Sequence, residues 1–217
     1  MLNAWRWRGF ILLPDNGPSP ELRHFMTELI FTLISAALVN TIVLQLPLGI
    51  DTLVRTPVGD ERLRRHALGI ATTALMVICA LIGNTLYRYL LQPWALDYLR
   101  LFVFLPLCVL LAAPLVKLLA ARSPLPFTGL EPLLMGNAAV LGVSLISAQA
   151  QRGLLHTFAL SLGAGLGFWL VLCLFGDLRQ RLDHNAVPWP FRGLPIELIG
   201  AGLMALAFLG FTGLIKT

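Results

Sequence analysis

The stretch Leu38–Asp51, LVNTIVLQLPLGID, decides how the rest of the chain is read. It continues an apolar run that starts near Glu28, carries Asn40 within it, is interrupted by Pro47 and Gly49, and stops on the carboxylate of Asp51. Its length and composition make it the second half of a membrane helix. A helix broken at membrane depth frees N–H and C=O groups that lipid cannot satisfy, so they must be buried in protein or meet a ligand. The interruption therefore needs a reason, and so does the charge at its end.

The remainder of the chain supports the membrane reading. Soluble domains are about 45–50% apolar and about 25% charged, whereas these 217 residues are 57% apolar and 12% charged. Mean hydropathy is +0.79. So little charge cannot cover a surface that faces water, which excludes a soluble enzyme. The formal charge of +5 could point to nucleic acid, but the arginines concentrate in connecting segments, so the lipid bilayer and no nucleic acid is the expected environment. Cys79, Cys108 and Cys173 each sit alone in an apolar run and read as small core residues. The four histidines are scattered with no metal-binding spacing. No catalytic triad, paired carboxylates, Walker motif or dinucleotide fingerprint is present, so no catalytic residue is expected on this chain.

A membrane helix takes about 20 mostly apolar residues, and six such runs occur, at roughly 28–50, 67–91, 99–120, 130–148, 154–176 and 194–215. Short polar, proline-rich or arginine-rich segments connect them. Lys and Arg favour the cytoplasmic side. The connections after the first, third and fifth runs hold nine: Arg55, Arg62, Arg64, Arg65, Lys117, Arg122, Arg179, Arg181 and Arg192. The other side holds four: Arg88, Arg100, Arg152 and Lys216. Both termini are therefore expected outside, on the periplasmic face of a cell inner membrane. Residues 1–25 add Arg6, Arg8 and Arg23 to the wrong side and do not form a signal peptide. Met26 is the expected true start; an amphipathic interfacial arm carrying Trp5, Trp7 and Phe10 is the competing reading.

One internal repeat stands out. Asn40 opens NTIVL in the first run and Asn137 opens NAAVL in the fourth. Each falls in the first span of a three-span half, and an odd number of spans places the second half upside down. The halves run over about 26–120 and 128–217. Pro47 and Gly49 flank one asparagine, Pro132 and Gly136 the other. Paired interruptions in inverted halves point to a site at the midplane, with Asn40, Asp51 and Asn137 as its polar candidates. The plainer alternative is that the asparagines only cap half-helices or bond between spans.

These segments carry a resemblance. ELIFTLISAALVNTIVL, PLLMGNAAVLGVSL and the tail VPWPFRGLPIELIGAGLMALAFLGFTGLIK resemble the A subunit of the Rnf (Rsx) electron transport complex and the matching E subunit of the sodium-pumping NADH:quinone oxidoreductase. The resemblance runs from Met26 to the C-terminus. It implies an all-α integral membrane fold: six transmembrane helices in two inverted three-helix repeats with broken first helices. It implies a homologous membrane partner of opposite topology, other Rnf-type subunits, and electron transfer between NADH and ferredoxin or quinone coupled to Na+ or H+ movement. It also implies a two-iron, two-sulfur cluster between the paired subunits, held by a cysteine from each broken helix. Here the family's L-G-x-C reads LGID, placing Asp51 at the ligand position, and its N-C-A reads NAAV, placing Ala138 there. Iron–sulfur clusters are held by thiolates, and both sulfurs are gone. The expectation is a scaffold or ion-path subunit without cofactor ligands or a metal site, in which Asp51 could bind a cation or proton. A stand-alone inverted-repeat transporter of ions or small solutes is the rival, with Asp51 as its midplane carboxylate.

Other residues are weighed by position. Glu28, Glu131 and Asp177 lie at span ends and read as solvated, Asp177 with Arg179 two residues away. Glu197 lies a turn inside the sixth span and is expected to pair with an arginine of another subunit. Gly163, Gly165, Gly167, Gly200 and Gly202 are expected to mark close contact of spans five and six, with each other or with a partner.

Overall fold

The computed structural model describes residues 20–39, 61–94, 96–123, 125–127, 129–150, 153–181 and 187–212. Residues 1–19, Asn40, Pro47, Gly49 and Asp51 lie outside them. The described residues form seven α-helices: α1 (Pro20–Ile34), α2 (Glu61–Leu86), α3 (Arg100–Arg122), α4 (Glu131–Met135), α5 (Ala138–Gln149), α6 (Leu154–Arg181) and α7 (Leu194–Thr212). No strand occurs among them. Four continuous or nearly continuous segments are long and apolar enough to cross a bilayer: Arg62–Leu91, Asp97–Arg122, Glu131–Gln149 and Leu154–Arg181. The shorter apolar helices Met26–Ala37 and Leu194–Gly210 fall where the first and sixth spans are expected.

Helix α2 lies at the centre. Its buried face, Ala67, Leu68, Ala71, Leu75, Met76 and Cys79, joins one core with Phe168, Val171, Leu172 and Phe175 of α6, Val140 and Val143 of α5, and Ala112 and Val116 of α3. The outer faces are equally apolar. Phe102 is 77% exposed, Leu110 72% and Leu203 63%. Large side chains left bare in this number cannot face water and mark a surface made for lipid. The protein is an all-helical integral membrane protein.

Small residues set the helix spacing. A Cβ at Gly163 would lie 2.5 Å from the Leu33 carbonyl oxygen, and one at Gly167 2.5 Å from that of Ala37. Gly163 and Gly167, one turn apart on α6, therefore seat the end of the first helix, while a Cβ at Gly165 would meet Thr73 of α2 at 2.6 Å. This corrects the sequence expectation. The fifth-span glycines face spans one and two; only Gly200, whose Cβ would lie 3.2 Å from Leu178, joins spans five and six, and Gly202 has open space around it.

Two boundaries also differ from the apolar runs. The segment Glu61–His66, which reads as a connection, forms the first turns of α2, and α6 runs on to Arg181. Arginine and glutamate are good helix formers, so these helices continue past the apolar zone. Helix α3 continues through Pro106 and Pro114, although each lacks the N–H that would close a helical bond.

Candidate functional site

The fourth span is two half-helices. Pro132 starts α4 within its first turn, where a missing N–H costs nothing. The Gly136 amide donates to the Pro132 carbonyl at 3.3 Å and closes that helix. Asn137 then takes an extended conformation, φ −76° and ψ 99°, and caps α5: its Oδ1 accepts from the Ala139 amide at 3.0 Å. Asparagine is among the strongest N-cap residues because its side chain replaces a backbone acceptor the helix start lacks. The interruption expected from Pro132, Gly136 and Asn137 is thus present.

The cap uses only half of the asparagine. Asn137 is 4% exposed, and its Nδ2 is buried with no hydrogen-bond partner among the described residues. A buried donor left unmade costs about 1–3 kcal/mol, so this amide is a candidate to bond outside the described residues. Further down α5, Ser147 also has a buried hydroxyl without a partner among the described residues, whereas the Ser144 hydroxyl donates back to the Val140 carbonyl at 2.9 Å. Ala138, beside the asparagine, is exposed.

On the first span, the regular α-helix ends at Ile34 and Ser35–Val39 forms a π-helical turn. Such turns concentrate at functional sites. The helix therefore leaves α geometry just before Asn40; the relation of Asn40 and Asp51 to Asn137 falls outside the described residues.

Cys79 of α2 and Cys108 of α3 are buried side by side within hydrogen-bond reach, and Ser144 reaches Cys108. Ser144 lies seven residues beyond Asn137 along α5, roughly 10 Å at the helical rise. Cys173 is half-buried on α6. No group of three or more potential metal ligands occurs among the described residues.

Two ion pairs gather at one end of the bundle. Arg179 of α6 meets Glu197 of α7 at 2.6 Å, with side chains 19% and 6% exposed. Arg65 of α2 meets Asp177 of α6 at 3.2 Å, its own side chain 6% exposed and the aspartate's 59%. Glu197 is thus held within the chain, which corrects its expected role as a link to another subunit. Asp177 pairs with Arg65 rather than Arg179. A Cβ at Gly129 would lie 3.3 Å from Arg64, so the connection that follows α3 comes against the start of α2 at this end. At the other end of α2, the amide of Asn84 donates to the hydroxyl of Thr157 on α6, both residues 2% exposed. Sequence reading missed this pair; a lone asparagine in the run LIGNTLY was the available signal.

The whole membrane region has a counterpart among known proteins. A family model described as "Rnf-Nqr subunit, membrane protein" matches residues 29–215. The A subunit of the ion-translocating oxidoreductase complex of Pseudomonas aeruginosa (strain LESB58) is 42% identical over 197 residues, 88% of this chain and 100% of that protein. The proteins of the same name from Azotobacter vinelandii, 41% over 197 residues, and Alkalilimnicola ehrlichii, 38% over 196 residues, are covered to the same extents.

Proposed function

Because the chain belongs to the Rnf-Nqr family of membrane subunits, we propose that it works as the A-type subunit of an ion-translocating oxidoreductase complex. The observation that carries this reading is identity near 40% along the full length of relatives that bear that name. The stand-alone transporter is not favoured, since those relatives are named as parts of a complex. The partners are then the other subunits of such a complex, among them a homologous subunit of opposite topology. The chain lies in the inner membrane with both termini outside, and its two halves are inverted repeats.

The half-helix junction supports a role at the centre of that assembly. Asn137 presents a buried N–H donor, unmatched among the described residues, that suits an acceptor from a partner, from the Asn40–Asp51 segment, or from an ion's hydration shell. It does not suit an iron–sulfur cluster. Ala138, at the family's ligand position, has no donor atom, and the Cys79–Cys108 pair is committed to the core two turns away. The chain therefore scaffolds its opposite-facing homologue and lines an ion path, with Asp51 as the residue to bind a cation or proton.

Co-purification tests this role. An affinity tag on this chain is expected to bring down other membrane subunits in fixed ratio; recovery alone or as a homodimer would return the transporter reading. Iron and sulfide reconstitution of the purified complex tests the lost ligands. A two-iron spectrum abolished by Asp51→Ala would refute that part while leaving membership of the complex standing.

A further inference from the structure

The face of α2 that looks away from α3 carries an unbroken change of character. Ile70, Thr73, Ala74, Val77 and Ile78 line a groove of about 390 Å³ with Leu162 and Trp169 of α6. Among its described lining residues the one hydroxyl, on Thr73, donates to the Gly69 carbonyl at 2.7 Å, so they offer an apolar wall. From Ile70, moving toward the start of α2 by four residues at a time reaches His66 and then Arg62, both exposed, on the same helical stripe. A continuous path therefore leads from an apolar slot to a cationic end.

The junction is built. Trp169 lies against α2 because residue 69 is glycine: a Cβ there would overlap the indole. The indole Nε1 donates to His66 Nδ1 at 3.2 Å, with the two rings edge-on at 5.8 Å. An indole N–H can only donate, so Nδ1 is the acceptor and the proton of the neutral imidazole sits on Nε2. His66, exposed and one helical turn from Arg62, thus keeps Nε2–H as a donor beside the Trp169 that lines the groove. Among the described residues, the carboxylate of Asp177 is bonded to Arg65.

The geometry points to a bound anionic phospholipid, its phosphate at Arg62 and His66 Nε2 and one acyl chain along the groove below Trp169. The dimensions agree. At 1.5 Å per residue the groove runs from roughly 6 to 18 Å beyond His66, about the depth of one leaflet's hydrocarbon, half of ~30 Å. The slot takes the chain and Arg62 the phosphate; a zwitterionic lipid carries the same phosphate but brings its own cation to the arginine end, so it should bind more weakly. This site depends on the membrane setting of the chain and is separate from its role in a complex.

Trp169 reports on occupancy directly. The full-length chain in mixed micelles is titrated with phosphatidylglycerol brominated at mid-chain, and with the matching brominated phosphatidylcholine. Bromine quenches an indole only at contact, and the Trp169→Phe variant isolates that residue's share of the emission. Saturable quenching at lower phosphatidylglycerol than phosphatidylcholine is expected, and Arg62→Gln should weaken the anionic lipid roughly fivefold, the effect of one basic residue at an anionic surface. His66→Ala, which removes a neutral donor to a phosphate that both lipids carry, should weaken both, and Ala74→Phe should abolish quenching by both. Arg62→Gln alters an exposed position outside the groove, so it keeps the test decisive if Ala74→Phe fails to fold. Equal quenching by both lipids, unchanged by Arg62→Gln, would leave an unselective lipid-facing slot and overturn the proposal. Absence of Trp169 quenching by either would mean that lipid does not enter, and would overturn it as well.

Discussion

Removing Glu197 should cost far more than removing Asp177, though each is one carboxylate beside one arginine. At 2.6 Å and an effective dielectric of about 20, the attraction between Arg179 and Glu197 is on the order of 6 kcal/mol. Desolvation offsets much of that gain. It does not soften the loss of one partner, because both side chains of this pair are largely desolvated, 19% and 6% exposed, and breaking such a pair costs about 3–5 kcal/mol. Asp177 is 59% exposed, so Asp177→Asn should cost no more than ~1 kcal/mol. Arg65 keeps its bond to the Cys173 carbonyl at 3.4 Å. Glu197→Gln and Arg179→Gln, singly and together, form a thermodynamic cycle, read by unfolding the purified chain with SDS in mixed micelles. Each single is expected to lose about 3–5 kcal/mol and the double about the same, so the coupling equals the loss of one single, about 3–5 kcal/mol. Additive losses, or a Glu197→Gln as mild as Asp177→Asn, would refute the claim that α7 is held to α6 by a desolvated pair.

Three further outcomes are expected. Asn137→Ser keeps a cap for α5 and discards the buried amide donor, so the isolated chain should keep its stability within about 1 kcal/mol while co-purification of partner subunits falls; Asn137→Ala should lose about 1 kcal/mol as well, both read by SDS unfolding and pull-down. Gly167→Val places carbon against the Ala37 carbonyl and should cost about 1–3 kcal/mol, with α1 becoming accessible to protease while α2 to α6 stay protected. Cys173, half-buried, should react with a membrane-permeant maleimide well before Cys79 and Cys108, which are buried together, as followed by intact mass.

What the sequence could reveal was depth, and what it could not reveal was azimuth. Apolar runs located the spans, and Pro132, Gly136 and Asn137 located the break, because helix-stopping and capping are local properties. Which face of a helix meets protein is not local. In a bilayer, Leu110 turned to lipid and Ala112 buried in the core are both apolar, so the alternation that marks a soluble core is missing. The fifth-span glycines were therefore legible as contact points without saying that α1 and α2 would fill them. Glu197 was legible as a carboxylate needing a cation, but its partner lies eighteen residues back, across a turn. The charged start of α2 was misread because arginine-rich sequence signals the membrane surface equally well in a loop or in a protruding helix. Two of the three residues of the proposed central site, Asn40 and Asp51, lie outside the described residues.

The guanidinium of Arg65 crosses α6 where residue 176 is glycine; any larger side chain would occupy the same space. That notch acts as a mechanical key. Sliding α2 along α6 by even one residue would drive the arginine into a neighbouring side chain, so the two central helices are fixed in height against each other as well as in spacing. With Gly69 against Trp169 and Gly165 against Thr73 as well, the α2–α6 pair is the part of the bundle whose close approach depends most on missing side chains.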